Sequence, residues 1–167
     1  DYCQIVFTIP KMLRKFFLFD RSLYGELSKV AYASTREFFK EHFQNLQNLV
    51  PAMIVAPQSF GDLLLPHAHC HAMASMGVFD QQGNFHPAEE NLDFSPLEEI
   101  FRERTFKMML KREKITEERI EMLRSWHHSG FNIDTSRRIR AGDRESLESL
   151  LHYIERPPVS LERLTYR

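Results

Sequence analysis

His67, His69 and His71 alternate in the run LLLPHAHCHAMASMGVF. Successive side chains of a β-strand turn to opposite faces, so histidines at i and i+2 share one face. Two imidazoles side by side on a rigid strand are half of a metal site. The same tract also reads as a polar strand whose histidines face solvent. Near the other end of the chain, Tyr153 stands in HYIERPP with Arg156 three residues on. A tyrosine hydroxyl can attack phosphorus and become covalently attached to it when a cation polarises the phosphate. An arginine can steady that phosphate and its developing charge. The alternative for Tyr153 is a partly buried aromatic on an amphipathic helix.

These residues need elements to position them. Tyr2 to Ile9 reads as a short apolar strand closed by Pro10, and Leu13 to Leu18 as helix. Asp20 reads as the N-cap of a long helix through about Leu46, in which Leu23, Leu27, Val30, Ala31, Phe38 and Phe39 recur at helical spacing. Ala52 to Pro57 reads as a buried strand, Ser59 to Asp62 as a turn, and Leu63 to Met76 as a strand pairing back in a hairpin. In that strand His69, His71 and Met73 face one way, and Cys70, Ala72 and Ala74 the other. Val78-Phe79 and Phe85-His86 flank a turn at Asp80 to Asn84. Ser95 is the expected cap of a helix from Pro96 to about Lys114, with Glu98 as capping-box partner. Thr116 starts another helix, up to about Trp126. Asn132 to Ile139 reads as a strand, and Asp143 opens a last helix through about Glu155, stopped by Pro157-Pro158. The order predicts an α+β fold with a central, largely antiparallel sheet flanked by helices. In WHHSGF, Trp126 is expected to plug the core, Gly130 to permit the turn and Ser129 to satisfy backbone groups.

The 167 residues, 43 % of them hydrophobic and 27 % charged, suit one domain with a core and speak against disorder. A net charge of −1 gives no global attraction for nucleic acid. Any such contact has to use local clusters: Lys11, Arg14 and Lys15; Arg137, Arg138 and Arg140; or Arg156, Arg163 and Arg167. Each of these also reads as an ordinary solvated face. Cys3 and Cys70 form neither a disulfide framework nor a Cys-x-x-Cys zinc site, which suits a reducing, cytosolic setting. No run of about eighteen apolar residues occurs, so no transmembrane helix is expected. The N-terminus lacks a signal-peptide plan and begins in mid-pattern, as a fragment of a longer chain would.

Three stretches occur in order: PHAHCHAMASMGVFD, WHHSGF and YIERPPVSLERLTY. With FTIPKMLRKFFLFDRSLYGELS upstream, they resemble the transposase domain of rolling-circle insertion sequences, the HUH-type single-strand transposases, in which U is a bulky apolar residue. The resemblance covers nearly the whole chain and implies one HUH catalytic domain over residues 1–167, with a Rep-like sheet. It implies that His69-Cys70-His71 is the HUH pair and that Tyr153, in the Y-x-x-R-P-P motif with Arg156, is the nucleophile. The implied reaction nicks one DNA strand, leaves a 5′-phosphotyrosine link and a free 3′-OH, and later rejoins the strand. The implied cofactor is Mg²⁺ or Mn²⁺, and the implied partner is single-stranded DNA at the ends of a mobile element. The setting would be a bacterial cytoplasm, nucleoid-associated when DNA is bound. A third metal ligand is needed: Gln58 comes first, then Asp62, then His67 if the strand bulges. Arg137, Arg138, Arg140 and His128 are candidate DNA contacts by charge and placement, in a groove expected to bind single strands with stacking aromatics.

The departures matter too. Cys70 replaces the bulky apolar residue, a change that suits a free cysteine acting as a small hydrophobe. Ser149 stands four before Tyr153, where many relatives carry a second tyrosine, so a single-tyrosine mechanism is implied. Met76-Gly77 replaces Asp-Gly, and Asp134 replaces a histidine. The family's N-terminal Cys-rich zinc module and its C-terminal extension are not in these 167 residues. Two competing readings follow. One is a non-catalytic DNA-binding remnant of a transposase. The other is a zinc hydrolase built on His67, His69 and His71, although Cys70-His71 lacks the Asp-His that the dinuclear pattern wants and the chain is too short for an amidohydrolase barrel.

Overall fold

The computed structural model describes residues 1–61 and 65–155. Strand β1 (Tyr2–Thr8) is covered on both faces, which is why it reads as a nearly continuous apolar run. Pro10 ends it and leads into α1 (Lys11–Phe19), followed by α2 (Ser22–His42). Asp20 works from one residue further out than an N-cap: its Oδ1 accepts from Ser22 N at 3.1 Å and Ser22 Oγ at 2.5 Å, while Arg21 takes the cap position. The helix stops at His42, short of Leu46. The same Asp-x-Ser device opens α3 (Ser95–Lys111), where Asp93 Oδ1 accepts from Ser95 N at 2.9 Å and Oγ at 2.6 Å. Ser95 is therefore held rather than holding, and Phe94 occupies the cap position. The short acidic side chain reaches a backbone N–H two residues on, and so displaces the serine from that role.

Helix α4 (Glu117–Arg124) starts as expected, with the Thr116 side chain accepting from Arg119 N. The segment 132–139 divides into β6 (Asn132–Asp134) and β7 (Arg138–Ile139), because Asp134 Oδ1 accepts from Ser136 N at 2.9 Å and turns the chain between them. Helix α5 (Arg144–Glu155) begins where Asp143 Oδ1 accepts from Ser146 N at 3.0 Å. The stop at Pro157-Pro158 lies outside the described residues.

The hairpin is β2 (Met53–Phe60) and β3 (Pro66–Ser75). The sheet runs β2-β3-β1-β6, with β7 also pairing with β1, and each described pairing is antiparallel. A small second sheet joins β4 (Gly77–Phe79) to β5 (Phe85–Pro87). The fold is α+β with a mostly antiparallel sheet. β2 is not buried as its apolar run suggests: it is the outer strand, Ile54 and Phe60 are exposed, and Pro57 is tolerated because an edge needs no donor on its outer side. It also extends through Ser59 and Phe60, so the hairpin turns later than expected.

The two faces of the sheet are covered differently. Cys3, Ile5, Phe7, Cys70, Ala72 and Ala74 face a large core filled by Leu13, Phe17, Leu27, Phe39, Phe101, Met109 and Ile120 from α1 to α4. The opposite face carries a much smaller cluster, in which Met73 and Ile139 meet Leu150 and Ile154 of α5. Both cysteines are buried without a disulfide, and burial pushes the Cys3 thiol up to about 11 and the Cys70 thiol up to about 12. They are packing residues, not nucleophiles.

Candidate active site

Antiparallel register decides what shares the α5 face. His69 lies opposite Thr8 on β1 and Gln58 on β2, and His71 lies opposite Val6 and Ala56. Met73 is paired with Gln4, and Val6 is in turn paired with Asp134. Residues directly opposite one another point the same way. Gln4, Gln58, His69, His71 and Asp134 therefore stand on one face, beneath α5.

The two histidines are each only 6 % exposed. Their Nε2 atoms are 3.0 Å apart and their rings meet edge to face. His69 Nδ1 lies 2.7 Å from the His67 carbonyl oxygen, which only accepts, so Nδ1 carries the proton and Nε2 has the lone pair. Gln4 Nε2 lies 3.3 Å from His71 Nδ1. Burial pushes the His71 imidazole down to about 4, and charge on His69 and His67 pushes the same way. Burial also lowers His69, partly offset by its bond to the His67 carbonyl. Both rings are neutral at ordinary pH, the form that binds a cation.

In this form the two rings are bonded to each other through Nε2 at 3.0 Å; with the His71 proton on Nδ1 instead, both Nε2 lone pairs would be available to one small divalent ion. Gln58 Nε2 donates to the Ile154 carbonyl at 3.3 Å, which pins β2 to α5 beside Tyr153 and leaves the amide oxygen as its ligand-capable atom. The His67 ring lies tilted against that of His69 with ring centres 4.6 Å apart, next to a register shift between Gln58 and Phe60. Among the described residues, no three His, Cys, Asp or Glu side chains are grouped to hold a metal ion, so the triple-histidine arrangement is not formed there. Asp62 lies outside the described residues.

Helix α5 delivers Tyr153 to the same place. Ile154 is buried against the sheet, and Tyr153 beside it is 50 % exposed, with its ring edge-on to His71 at 5.5 Å between centres. Tyr153, His71 and Gln4 line an open cavity of about 310 Å³ together with Asp134, Ser136 and Arg137.

Of the candidate DNA contacts among the described residues, Arg137 alone lines this cavity. Arg138 is paired with Cys3, on the other face, and its guanidinium donates to the Glu90 carbonyl. Arg140 and His128 are exposed and stand outside the cavity lining. Arg156 lies outside the described residues. Trp126 does not plug the core; it is 42 % exposed, on the rim of the turn that follows α4. Leu123, three residues earlier, takes the inward position instead. Gly130 does permit that turn, with φ at +73° and the Pro10 backbone 3.2 Å from where a Cβ would stand. Ser129 Oγ accepts from Phe131 N at 3.2 Å.

Gln4, Val6 and Ser136 line the cavity without having been singled out from the sequence. Gln4 did give a signal, as an amide inside the apolar run YCQIVFT, but nothing in the sequence says which strand it faces.

The profile of a family described as "Putative transposase" matches residues 52–166, from the start of the β2–β3 hairpin past Tyr153. The chain belongs to that transposase family. No curated protein and no solved structure matches it. The transposase match holds the histidine strand and the tyrosine helix within one unit of sequence, and β1, which supplies Gln4, precedes it. Transposases act on DNA, so DNA is the partner class of this chain. Among the described residues, no helix is long and apolar enough to cross a membrane.

Proposed function

We propose that this transposase cuts and rejoins single-stranded DNA through a covalent link to Tyr153. The observation that carries the reading is the convergence of Tyr153, His71 and Arg137 on one cavity from three distant parts of the chain. In the proposed step the Tyr153 Oη attacks a backbone phosphorus. The P–Oη bond forms as the P–O3′ bond breaks. The phenol loses a proton and the 3′ oxygen gains one, which leaves a 5′-phosphotyrosine and a free 3′-OH. One phosphodiester replaces another, so no external energy source is required, and attack by a 3′-OH on the phosphotyrosine reverses the step.

His69 Nε2, His71 Nε2 and the Gln58 amide oxygen are the atoms proposed to hold Mg²⁺ or Mn²⁺. When bound, such an ion supplies Lewis-acid polarisation of the scissile phosphate. Two nitrogen donors suit Mn²⁺ better than Mg²⁺, which favours an all-oxygen shell. Arg137, which lines the cavity, is proposed to pair with a phosphate oxygen, and Arg156, outside the described residues, is proposed to do the same. Asp134 and Ser136 give the cavity polar walls.

The test uses a randomised pool of single-stranded oligonucleotides labelled at the 3′ end, the end that stays with the phosphotyrosine, with Mn²⁺ present. The wild-type chain is expected to acquire label that survives denaturation, and Tyr153→Phe to acquire none. Equal labelling of the Phe variant would make the assigned nucleophile wrong. Activity with Zn²⁺ alone, releasing free 5′-phosphate and no adduct, would instead favour a hydrolase.

A further inference from the structure

Gln4 is nearly buried, at 9 % exposure, between the fully buried Cys3 and Ile5. An amide in such a strand is costly unless its polar atoms are bonded. Its partner is His71 Nδ1, at 3.3 Å. The directions of the bonds around it follow from one fixed point. The His67 carbonyl accepts from His69 Nδ1–H, so His69 Nε2 is an acceptor. At 3.0 Å, His71 Nε2–H then donates to it. His71 Nδ1 is left with a lone pair, which accepts from the Gln4 amide N–H.

In this arrangement the two Nε2 atoms are tied to each other. For both to offer lone pairs outward, His71 has to carry its proton on Nδ1, and the group opposite Nδ1 has to accept. The Gln4 amide provides both options: turned by half a revolution about its last bond, it presents Oε1 where Nε2 stood. A carboxylate at this position would only accept, and a thioether would do neither well.

We infer that Gln4 is a positioning residue whose amide, able to donate to His71 Nδ1 or accept from it, supports either tautomer of that ring and so lets the histidine pair pass between a self-bonded form and a cation-ready form. The inference rests on the proposed use of His69 and His71 as metal ligands. The residue lies on β1, before the family match begins, and it contacts the cavity as well as the ring. A histidine ligand whose remote nitrogen donates to a fixed acceptor is held in orientation and made more basic, and loss of such a partner commonly weakens metal affinity 10–100-fold.

The test reads tautomers directly, by ¹⁵N NMR of histidine-labelled protein without metal, in wild type, Gln4→Met and Gln4→Glu. Wild type is expected to show His71 protonated on Nε2 and His69 on Nδ1. Gln4→Glu is expected to move the His71 proton to Nδ1, and Gln4→Met to give a mixture. Titration with Mn²⁺ is expected to show binding about tenfold weaker in Gln4→Met than in wild type. An unchanged His71 tautomer in both variants overturns the inference, as does an unchanged Mn²⁺ affinity in Gln4→Met. If wild type binds no Mn²⁺ at all, the metal reading fails by itself, while the tautomer spectra of the metal-free protein still decide the role of Gln4.

Discussion

Burial keeps the His71 ring uncharged, and that has a cost that pH exposes. Its folded value of about 4 lies below the ordinary 6.5, so as pH falls the unfolded chain takes up a proton first. Stability from this residue is complete above pH 6.5 and is lost progressively towards pH 4. The midpoint of urea unfolding of the metal-free chain should therefore fall across that window, and more steeply than in His71→Gln. Parallel pH profiles for the two proteins would contradict the assignment. Residues of this kind were legible in the sequence because their chemistry is rare: alternating histidines and a tyrosine beside Arg-Pro-Pro announce themselves. Gln4 was not, since an isolated amide in an apolar strand has no chemistry until a partner faces it.

At the scale of elements, α5 carries the proposed nucleophile and is held by a cluster much smaller than the main core: Leu150 and Ile154 against Met73 and Ile139, with Leu147, Leu151, Tyr2 and Ala56 at its edge, together with the Gln58 bond to the Ile154 carbonyl. A buried leucine cut to alanine usually costs about 2–5 kcal/mol. Leu150→Ala should loosen α5 more than the rest of the fold, giving faster amide exchange in residues 144–155 and less Tyr153 adduct, with the β1–β3 amides still protected. Phe7→Ala, in the larger core, should instead lower the stability of the whole chain by about 3–5 kcal/mol, read by urea titration. If Leu150→Ala unfolded everything together, α5 would belong to the main cooperative unit. Most of the elements were legible from their periodicity. Their ends were not, because Asp20, Asp93 and Asp134 each captured a nearby backbone N–H and moved a boundary.

For the whole molecule, a net charge of −1 means that attraction to DNA is a local matter, and Arg137 at the cavity is its proposed centre. Each phosphate neutralised on a single strand contributes a slope of about 0.7 in log affinity against log salt. Arg137→Ala should lower that slope by about this amount for a randomised single-stranded oligonucleotide, measured by fluorescence anisotropy, and Arg138→Ala should leave it nearly unchanged because that residue stands on the sheet face away from the cavity. The sequence by itself determined the α+β class, the histidine face of β3 and the family, because alternation and motif order are properties of a string. It misplaced β2 as buried and Trp126 as core, because both depend on which neighbours a segment finally acquires. Only the tertiary structure decided that the histidines sit under α5 rather than in solvent, that Tyr153 stands edge-on to His71, and that Gln4 faces the ring. The physical reason is register: in an antiparallel sheet a slip of one residue would turn every one of these side chains to the other face, and that slip is prevented by packing of both faces at once.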